Sequence, residues 1–176
     1  MHIDYAVVQT LLGTLLVAAT ARGVCAVTLG DDVNALESAL AEEYPAATRA
    51  RVTAPSSSLA SWVGEIVAIL DGGRARPDIP LDVRASAFQW KVWRELQKIP
   101  PGETRSYSEI ANAIGSPKAV RAVASACANN RVAVVVPCHR AVRLDGGLGG
   151  YRWGLERKKR LLEKERAIRD EEEGTS

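Results

Sequence analysis

The chain changes character once, near residue 84, and that change narrows what it can fold into. Residues 1–83 hold 5 basic and 10 acidic side chains, a balance of −5, whereas residues 84–167 hold 17 and 7, a balance of +10. Residues 168–176 hold 1 and 4, a balance of −3. A stretch rich in proline and charge, residues 74–80, stands just before the switch. The expected plan is therefore a small domain over 1–83, a second over 84–167, and an acidic, disordered tail over 168–176. With 47% of its 176 residues hydrophobic and 25% charged, the chain has the balance of an ordinary globular protein and enough apolar residues for two small cores. The local excess of +10 directs the second domain at a polyanion, although charge alone fits a solvated basic surface equally.

Hydrophobic patterning follows the same division. Residues 5–10, 14–20 and 23–29 are β-prone runs with turns at Leu12-Gly13 and Ala21-Arg22-Gly23, which predicts an antiparallel meander. Asp31-Asp32 predicts the cap of a helix over Val33–Glu43, with Leu36 and Leu40 on one face and Tyr44-Pro45 at its end. A polar linker runs on through Thr53. Residues 56–58 then cap a helix carrying Leu59, Trp62, Val63, Ile66, Ile69 and Leu70, stopped by Gly72-Gly73. Past the switch, Ser86 caps a helix with Phe88, Val92, Trp93 and Leu96 along one stripe, ended by Ile99-Pro100-Pro101-Gly102. Residues 106–113 and 117–128, parted by Gly115-Ser116, have the plan of a helix-turn-helix, and Pro117 suits a first helical turn. Its second helix is rich in small residues (Ala119, Ala122, Ala124, Ser125, Ala126) and presents Lys118 and Arg121. Close approach to nucleic acid and close packing on another helix explain that composition equally. Residues 132–136 read as a buried strand or extended run, and 144–150 as a tight glycine loop. Residues 155–165 read as a closing helix with Leu161-Leu162 inward and residues 157–160 outward.

Three cysteines, Cys25, Cys127 and Cys138, are odd in number and too few for a disulfide framework. No CxxC or HxxxH spacing occurs, and His2 and His139 are the only histidines, so no metal site is expected. No apolar run reaches the roughly 18 residues of a membrane span. The apolar run at the N-terminus follows Asp4 and lacks the basic start of a signal peptide, so the cytoplasm is the expected location and no membrane is involved. Cys138 follows an apolar run and Pro137 and precedes His139 and Arg140. The thiolate is the reactive form, and a free cysteine with a pKa of about 8.5 is mostly protonated at neutral pH. A nearby imidazole and guanidinium favour the thiolate. A buried structural cysteine fits those four residues at least as well. Neighbours in extended chain point to opposite sides, so His139 would act through a water or a turn.

The surroundings of Pro137-Cys138-His139-Arg140 carry a resemblance. Ala87-Phe88-Gln89 with Val92-Trp93, then Ile99-Pro100, Gly102-Glu103-Thr104, Ser106-Tyr107, Ile110-Ala111 and Gly115 belong to it. So do residues 117–123, Asn130, Gly150-Tyr151 and residues 161–165. Together these motifs, covering residues 86–166, resemble the O6-alkylguanine-DNA alkyltransferases (methylated-DNA–protein-cysteine methyltransferases). Residues 23–32, 111–115 and 121–128 resemble the alkyltransferase half of the bacterial adaptive-response proteins, which extends the likeness over nearly the whole chain.

The resemblance implies an α/β first domain of ribonuclease-H-like type, an antiparallel sheet with helices. It implies a mainly α, winged-helix-like second domain holding the helix-turn-helix. The implied activity is DNA repair: O6-alkylguanine, and O4-alkylthymine, is flipped out of double-stranded DNA and its alkyl group passes irreversibly to Cys138. Each molecule would act once, as a monomer on the minor groove, without a cofactor. His139 would take the thiol proton through a water, Glu165 would orient His139, and Asn130 would hold the turn. Tyr107, Tyr151, Ala141 and Arg152 would contact the flipped base or its alkyl group. Arg121 would fill the gap left in the stack, and Lys118, Ala119, Ala122 and Ala124 would meet the DNA. Arg140 would tie protein elements together, and Cys127 would face the pocket. Ala141 stands where valine is more usual and Arg152 where some members carry serine, which leaves the tolerated alkyl size open. Zinc sites of some members use an N-terminal cysteine and histidine. Only Cys25 and His2 are present here, so no metal is expected, and neither is the phosphotriester repair of a cysteine-rich zinc domain. Three rivals differ in kind: a lesion-binding protein, whose relatives lack the cysteine; a plain helix-turn-helix regulator; and a cysteine hydrolase, for which no oxyanion site is evident.

Overall fold

The computed structural model describes residues 1–54, 56–72 and 78–175, and the chain falls into two compact units. One comprises Met1–Arg84 with Arg131–Val135; the other comprises Ala85–Asn130 and the chain from Val136 onward. Gly73 of the expected helix stop, and residues 74–77 of the expected break, lie outside the described residues.

In the first unit β1 (His2–Thr10), β2 (Gly13–Thr20) and β3 (Gly23–Gly30) form the meander, joined by two-residue turns at Leu11-Leu12 and Ala21-Arg22. Helix α1 (Val33–Glu43) is capped by the Asp32 carboxylate, which accepts from the Asn34 N–H at 3.1 Å. It lays Leu36 and Leu40 on a core of Ile3, Leu16, Ala18, Cys25 and Ala26. The sheet is mixed, a correction to the antiparallel expectation. A fourth strand, β4 (Thr48–Arg51), runs parallel beside β1 in the order β3-β2-β1-β4. It lies within the stretch expected to be a polar linker. Its four residues, Thr-Arg-Ala-Arg, have the polar composition of an edge strand and carry little apolar signal. Helix α2 (Ser57–Leu70) follows, capped by the Ser56 hydroxyl.

The opposite edge, β3, is covered by two other segments. Val24 exchanges hydrogen bonds with residues 80–82, and Val27 with residues 131–133. Arg131 adds an ion pair to Glu43. The run from Val132 thus joins the first unit, which the charge division alone does not reveal.

The second unit is built on helices. Ser86 and Gln89 form a reciprocal capping box that starts α3 (Ala87–Gln97), whose stripe of Val92, Trp93 and Leu96 is buried. A second capping box, Ser106 with Glu109, starts α4 (Tyr107–Ala113), after the two-residue strand β5 (Arg105–Ser106). Gly115, at φ 76°, ends α4: its N–H reaches Asn112 and the Ser116 N–H reaches back to Ala111. Helix α5 (Val120–Ala128) begins three residues later than expected, because Ser116–Ala119 close a turn first (Ala119 N–H to Ser116 O, 2.9 Å). Helices α3, α4 and α5 pack together, and the Trp93 indole donates to Ala126 O at 2.9 Å. Strand β6 (Ala141–Val142) pairs parallel with β5, and α6 (Leu155–Gly174) closes the unit.

Helix α6 also corrects the expectation of a disordered tail, since it continues through Asp170–Glu173. Arg169 anchors this extension by donating to Gly102 O at 2.7 Å. Gly102 itself is required there: at φ 88°, a Cβ would lie 2.9 Å from Arg169 Cβ. No helix among the described residues is long and apolar enough to cross a membrane.

Candidate active site

The backbone delivers Cys138 through two tight turns. Val134 has φ 60°, unusual for a β-branched residue, and the Val135 N–H closes on Ala133 O at 2.7 Å. Pro137, at φ −81° and ψ 63°, sits at the centre of an inverse γ-turn closed by the Cys138 N–H on Val136 O at 2.8 Å. Cys138–Arg140 then form one turn of 3₁₀ helix. Cys138 and His139 therefore share a turn, one of the two arrangements expected for His139. Asn130, fully buried and two residues beyond the end of α5, braces this turn: its side-chain amide donates to Val136 O at 2.8 Å, and its N–H donates to Cys127 O at 3.2 Å.

Around the turn lies a buried ionic cluster. The Glu165 carboxylate on α6 takes His139 Nε2 at 2.8 Å and both Nε and Nη2 of Arg140 at 3.0 and 2.8 Å. Arg140 spends its remaining arm on Ile99 O at 2.7 Å, so it ties the turn to α6 and to the end of α3, as expected of it. Burial alone would raise the Glu165 carboxyl, but the bonds to His139 and Arg140 outweigh it and hold the group at about 2. Burial pushes the His139 ring below its ordinary value while Glu165 pulls the other way. Nδ1 of His139 is buried without a hydrogen-bond partner among the described residues. The Cys138 thiol is driven well above its ordinary value, first by burial and then by a hydrogen bond with the Cys127 thiol. Asn130 and Lys158 pull it back.

Lys158 is the residue that sequence reasoning placed wrongly. Expected outward with its neighbours at 157–160, it is fully buried, and its ammonium donates to Ala141 O at 2.6 Å and Gly150 O at 3.1 Å. It also stands 5.8 Å from the centre of the Tyr107 ring. Burial lowers its pKa to about 8, against the pull of Cys127 and Cys138, which favour the charged form. The signal was present: residues 158, 161, 162 and 165 fall on one helical stripe, and all four are buried.

The remaining expected residues fall into two groups. Ala141 is buried, and Tyr151 sets its ring edge-on to His139 at 6.4 Å and to Trp153 at 5.3 Å. The side chain of Arg152 lies over Trp153 at 5.7 Å and donates to Asn130 O. Tyr107 lies so close to Gly149 that a Cβ there would meet its hydroxyl at 2.7 Å. These surround the cysteine turn. Lys118, Arg121 and Ala122 form an exposed face with the half-buried Ala119 and Ala124, opposite the buried Val123, Ala126 and Cys127. Among the described residues no group of three or more His, Cys, Asp or Glu is arranged to hold a metal ion.

Comparison with known proteins agrees with this geometry. Residues 87–167 match the DNA-binding domain of the 6-O-methylguanine DNA methyltransferase family. The chain is 50% identical over 166 residues to the bifunctional transcriptional activator/DNA repair enzyme Ada of Escherichia coli, covering 94% of this chain and 46% of that protein. It thus spans about half the length of that relative. It is 42% identical over 120 residues to a methylated-DNA–protein-cysteine methyltransferase of Mycobacterium tuberculosis, covering 68% of this chain and 73% of that one. In structure it is similar to the Mycobacterium tuberculosis OGT crystallised in complex with DNA, with a TM-score of 0.77, 32% identity and 93% of each chain covered.

Proposed function

The chain belongs to the methylated-DNA–protein-cysteine methyltransferase family, and from that premise we propose that it repairs DNA by moving an alkyl group from O6 of guanine, or O4 of thymine, to its own Cys138. The observation that carries this reading is the buried turn in which Cys138 stands beside a histidine already engaged by a carboxylate. Glu165 is ionised and accepts only, so Nε2 of His139 carries the proton in their hydrogen bond. In the neutral ring the lone pair then lies at Nδ1, the atom left without a partner. Nδ1 takes the Cys138 proton through a bridging water, and the imidazolium so formed is stabilised by Glu165. Burial keeps Cys138 a thiol at rest, so the nucleophile is made when a base and a substrate are both in place. Sγ attacks the alkyl carbon, the carbon–oxygen bond breaks, and its electron pair leaves with the base, which is protonated and returns to ordinary guanine. The thioether has no route back, so one molecule repairs one lesion without a cofactor.

The target atom lies inside the duplex, so the base is flipped in beside the cysteine turn, where Tyr107, Ala141, Tyr151 and Arg152 receive it. The exposed face made by the turn before α5 and by α5 itself, small at Ala119, Ala122 and Ala124 and charged at Lys118 and Arg121, suits a shallow minor-groove contact in which Arg121 takes the place of the flipped base. A single copy suffices, because Cys138, His139, Asn130 and Glu165 all come from one chain. In the same reading residues 1–83 are a ribonuclease-H-like domain and 84–167 a winged-helix-like DNA-binding domain. Three free thiols suit the reducing cytoplasm. The test is to mix the protein with a duplex carrying O6-methylguanine and weigh it intact. One methyl group gained per molecule, and none by Cys138→Ser, supports the reading. Tight lesion binding without a mass gain, or turnover beyond one equivalent, overturns it.

A further inference from the structure

We propose that Cys127 and Cys138 are a redox pair, closed to a disulfide by a two-electron oxidant of the peroxide class and reopened by a thiol reductant. The side chains of the two cysteines are hydrogen-bonded to each other. One residue fixes that approach from both sides. The Asn130 N–H holds Cys127 O at 3.2 Å, while its side-chain amide holds Val136 O at 2.8 Å, the same carbonyl that accepts the Cys138 N–H. The last turn of α5 and the cysteine turn are thereby locked in one short hydrogen-bonded frame. Both cysteines are free thiols. The Lys158 ammonium is drawn by both cysteines, and it pulls the Cys138 thiol back down against burial. Cys25 belongs to the other unit and is fully buried, outside the frame that Asn130 holds, which makes it an internal control.

The chemistry balances in two steps. Cys138 gives up its proton and attacks one peroxide oxygen. The sulfur–oxygen bond forms, the oxygen–oxygen bond breaks, and the departing hydroxide takes a proton to become water, leaving a sulfenic acid. Cys127 then attacks that sulfur. The disulfide forms, the sulfur–oxygen bond breaks, and hydroxide leaves as a second water with the proton from Cys127. Two thiols and one peroxide become one disulfide and two waters. The disulfide withdraws the acceptor without consuming it, whereas direct oxidation to the sulfinic acid would destroy it. An alkylated Cys138 cannot enter the pair, so the switch acts only on unspent protein.

The consequence for repair rests on Cys138 being the alkyl acceptor; the disulfide itself does not. The full chain is treated with hydrogen peroxide, quenched, weighed intact without reductant and digested for peptide mapping. Acceptance of methyl from an O6-methylguanine duplex is measured before and after dithiothreitol. The expected result is a species lighter by two hydrogens, linked between the Cys127 and Cys138 peptides, with methyl acceptance reduced at least tenfold and restored by dithiothreitol. Cys127→Ser should form no such species; its Cys138 should gain oxygen atoms, and dithiothreitol should not restore it. Cys25→Ser should behave as the wild type. Direct addition of oxygen to wild-type Cys138 with no linked peptide overturns the proposal, and so does recovery in Cys127→Ser equal to that of the wild type. The peptide map is read on wild-type protein, so the proposal stays testable if the variant does not fold. A linked, reducible species in a protein that never accepts methyl would sink the alkyl-transfer reading and leave the redox pair standing.

Discussion

Glu165 holds His139 and Arg140 at once, so its charge is the residue on which the cysteine turn hangs. Replacing it by glutamine keeps the shape but leaves the Arg140 guanidinium buried beside a neutral amide. We expect Glu165→Gln to lose about 3–5 kcal/mol in urea unfolding and to accept methyl far more slowly. The same carboxyl sets an acid limit. Its folded value, about 2, lies below its ordinary 4.5, so its contribution to stability is complete above about 4.5 and disappears as the pH falls towards 2. Melting temperatures should fall more steeply through that window in the wild type than in Glu165→Gln; parallel curves would show that the carboxylate is not stabilised. Lys158 gives a prediction of opposite sense at high pH. Its cation favours the Cys138 thiolate, and one pKa unit is a tenfold change in thiolate, so Lys158→Met should slow methyl transfer about tenfold or more at neutral pH. The wild-type lysine discharges near pH 8, so the gap between the two rates should narrow as the pH rises through that value. A constant ratio across that range would assign Lys158 a packing role through Ala141 O and Gly150 O alone.

At the scale of elements, the loop before α6 is held against Tyr107 by a glycine that cannot change. Gly149 has φ 71°, and a Cβ on it would meet the Tyr107 hydroxyl at 2.7 Å. Gly149→Ala should cost about 1–2 kcal/mol and slow repair, and Tyr107→Phe in the same chain should recover part of the loss by removing the atom struck first. Failure of that recovery would place the cost in the backbone conformation alone. Which elements the sequence announces follows from where their signals lie. Helices α1 and α3 are legible at both ends because Asp32 and Ser86 cap them and an apolar stripe continues from the cap. The start of α5 is misread because Pro117 fits both a first helical turn and the isolated turn it occupies, and Ala119 supplies no capping side chain. Strand β4 escapes notice because its stability comes from pairing with β1, a partner more than forty residues away in register, and not from its own residues. The end of α6 is hidden in the same way: Asp170–Glu173 read as solvated charge, and the contact that carries the helix onward is between Arg169 and Gly102.

For the molecule as a whole, the charge switch locates the change from the first unit to the second near residue 84, but it cannot show that Arg131–Val135 returns to the first unit. That return depends on Val27 and Glu43, which patterning along the chain does not link to it. The site was legible on the same terms. Cys138 beside His139 is ambiguous as four residues; Asn130 and Glu165 acquire meaning through resemblance; and Lys158 is hidden among the basic neighbours of its helix although its spacing puts it inward. The charge distribution that first pointed to a polyanion still makes a prediction of its own. DNA contacts through phosphate release counterions, so affinity for an undamaged duplex should fall linearly in the logarithm of salt concentration. Lys118→Ala, removing one exposed cation from the turn that leads into α5, should lessen that slope by about 1. Arg121→Ala should behave differently if its guanidinium replaces the flipped base. Transfer from a lesion in duplex DNA should drop at least tenfold, while reaction with free O6-methylguanine base, which needs no flipping, should be unchanged. Equal loss on both substrates would place Arg121 in the pocket chemistry instead, and a loss confined to the salt slope would make it one more phosphate contact.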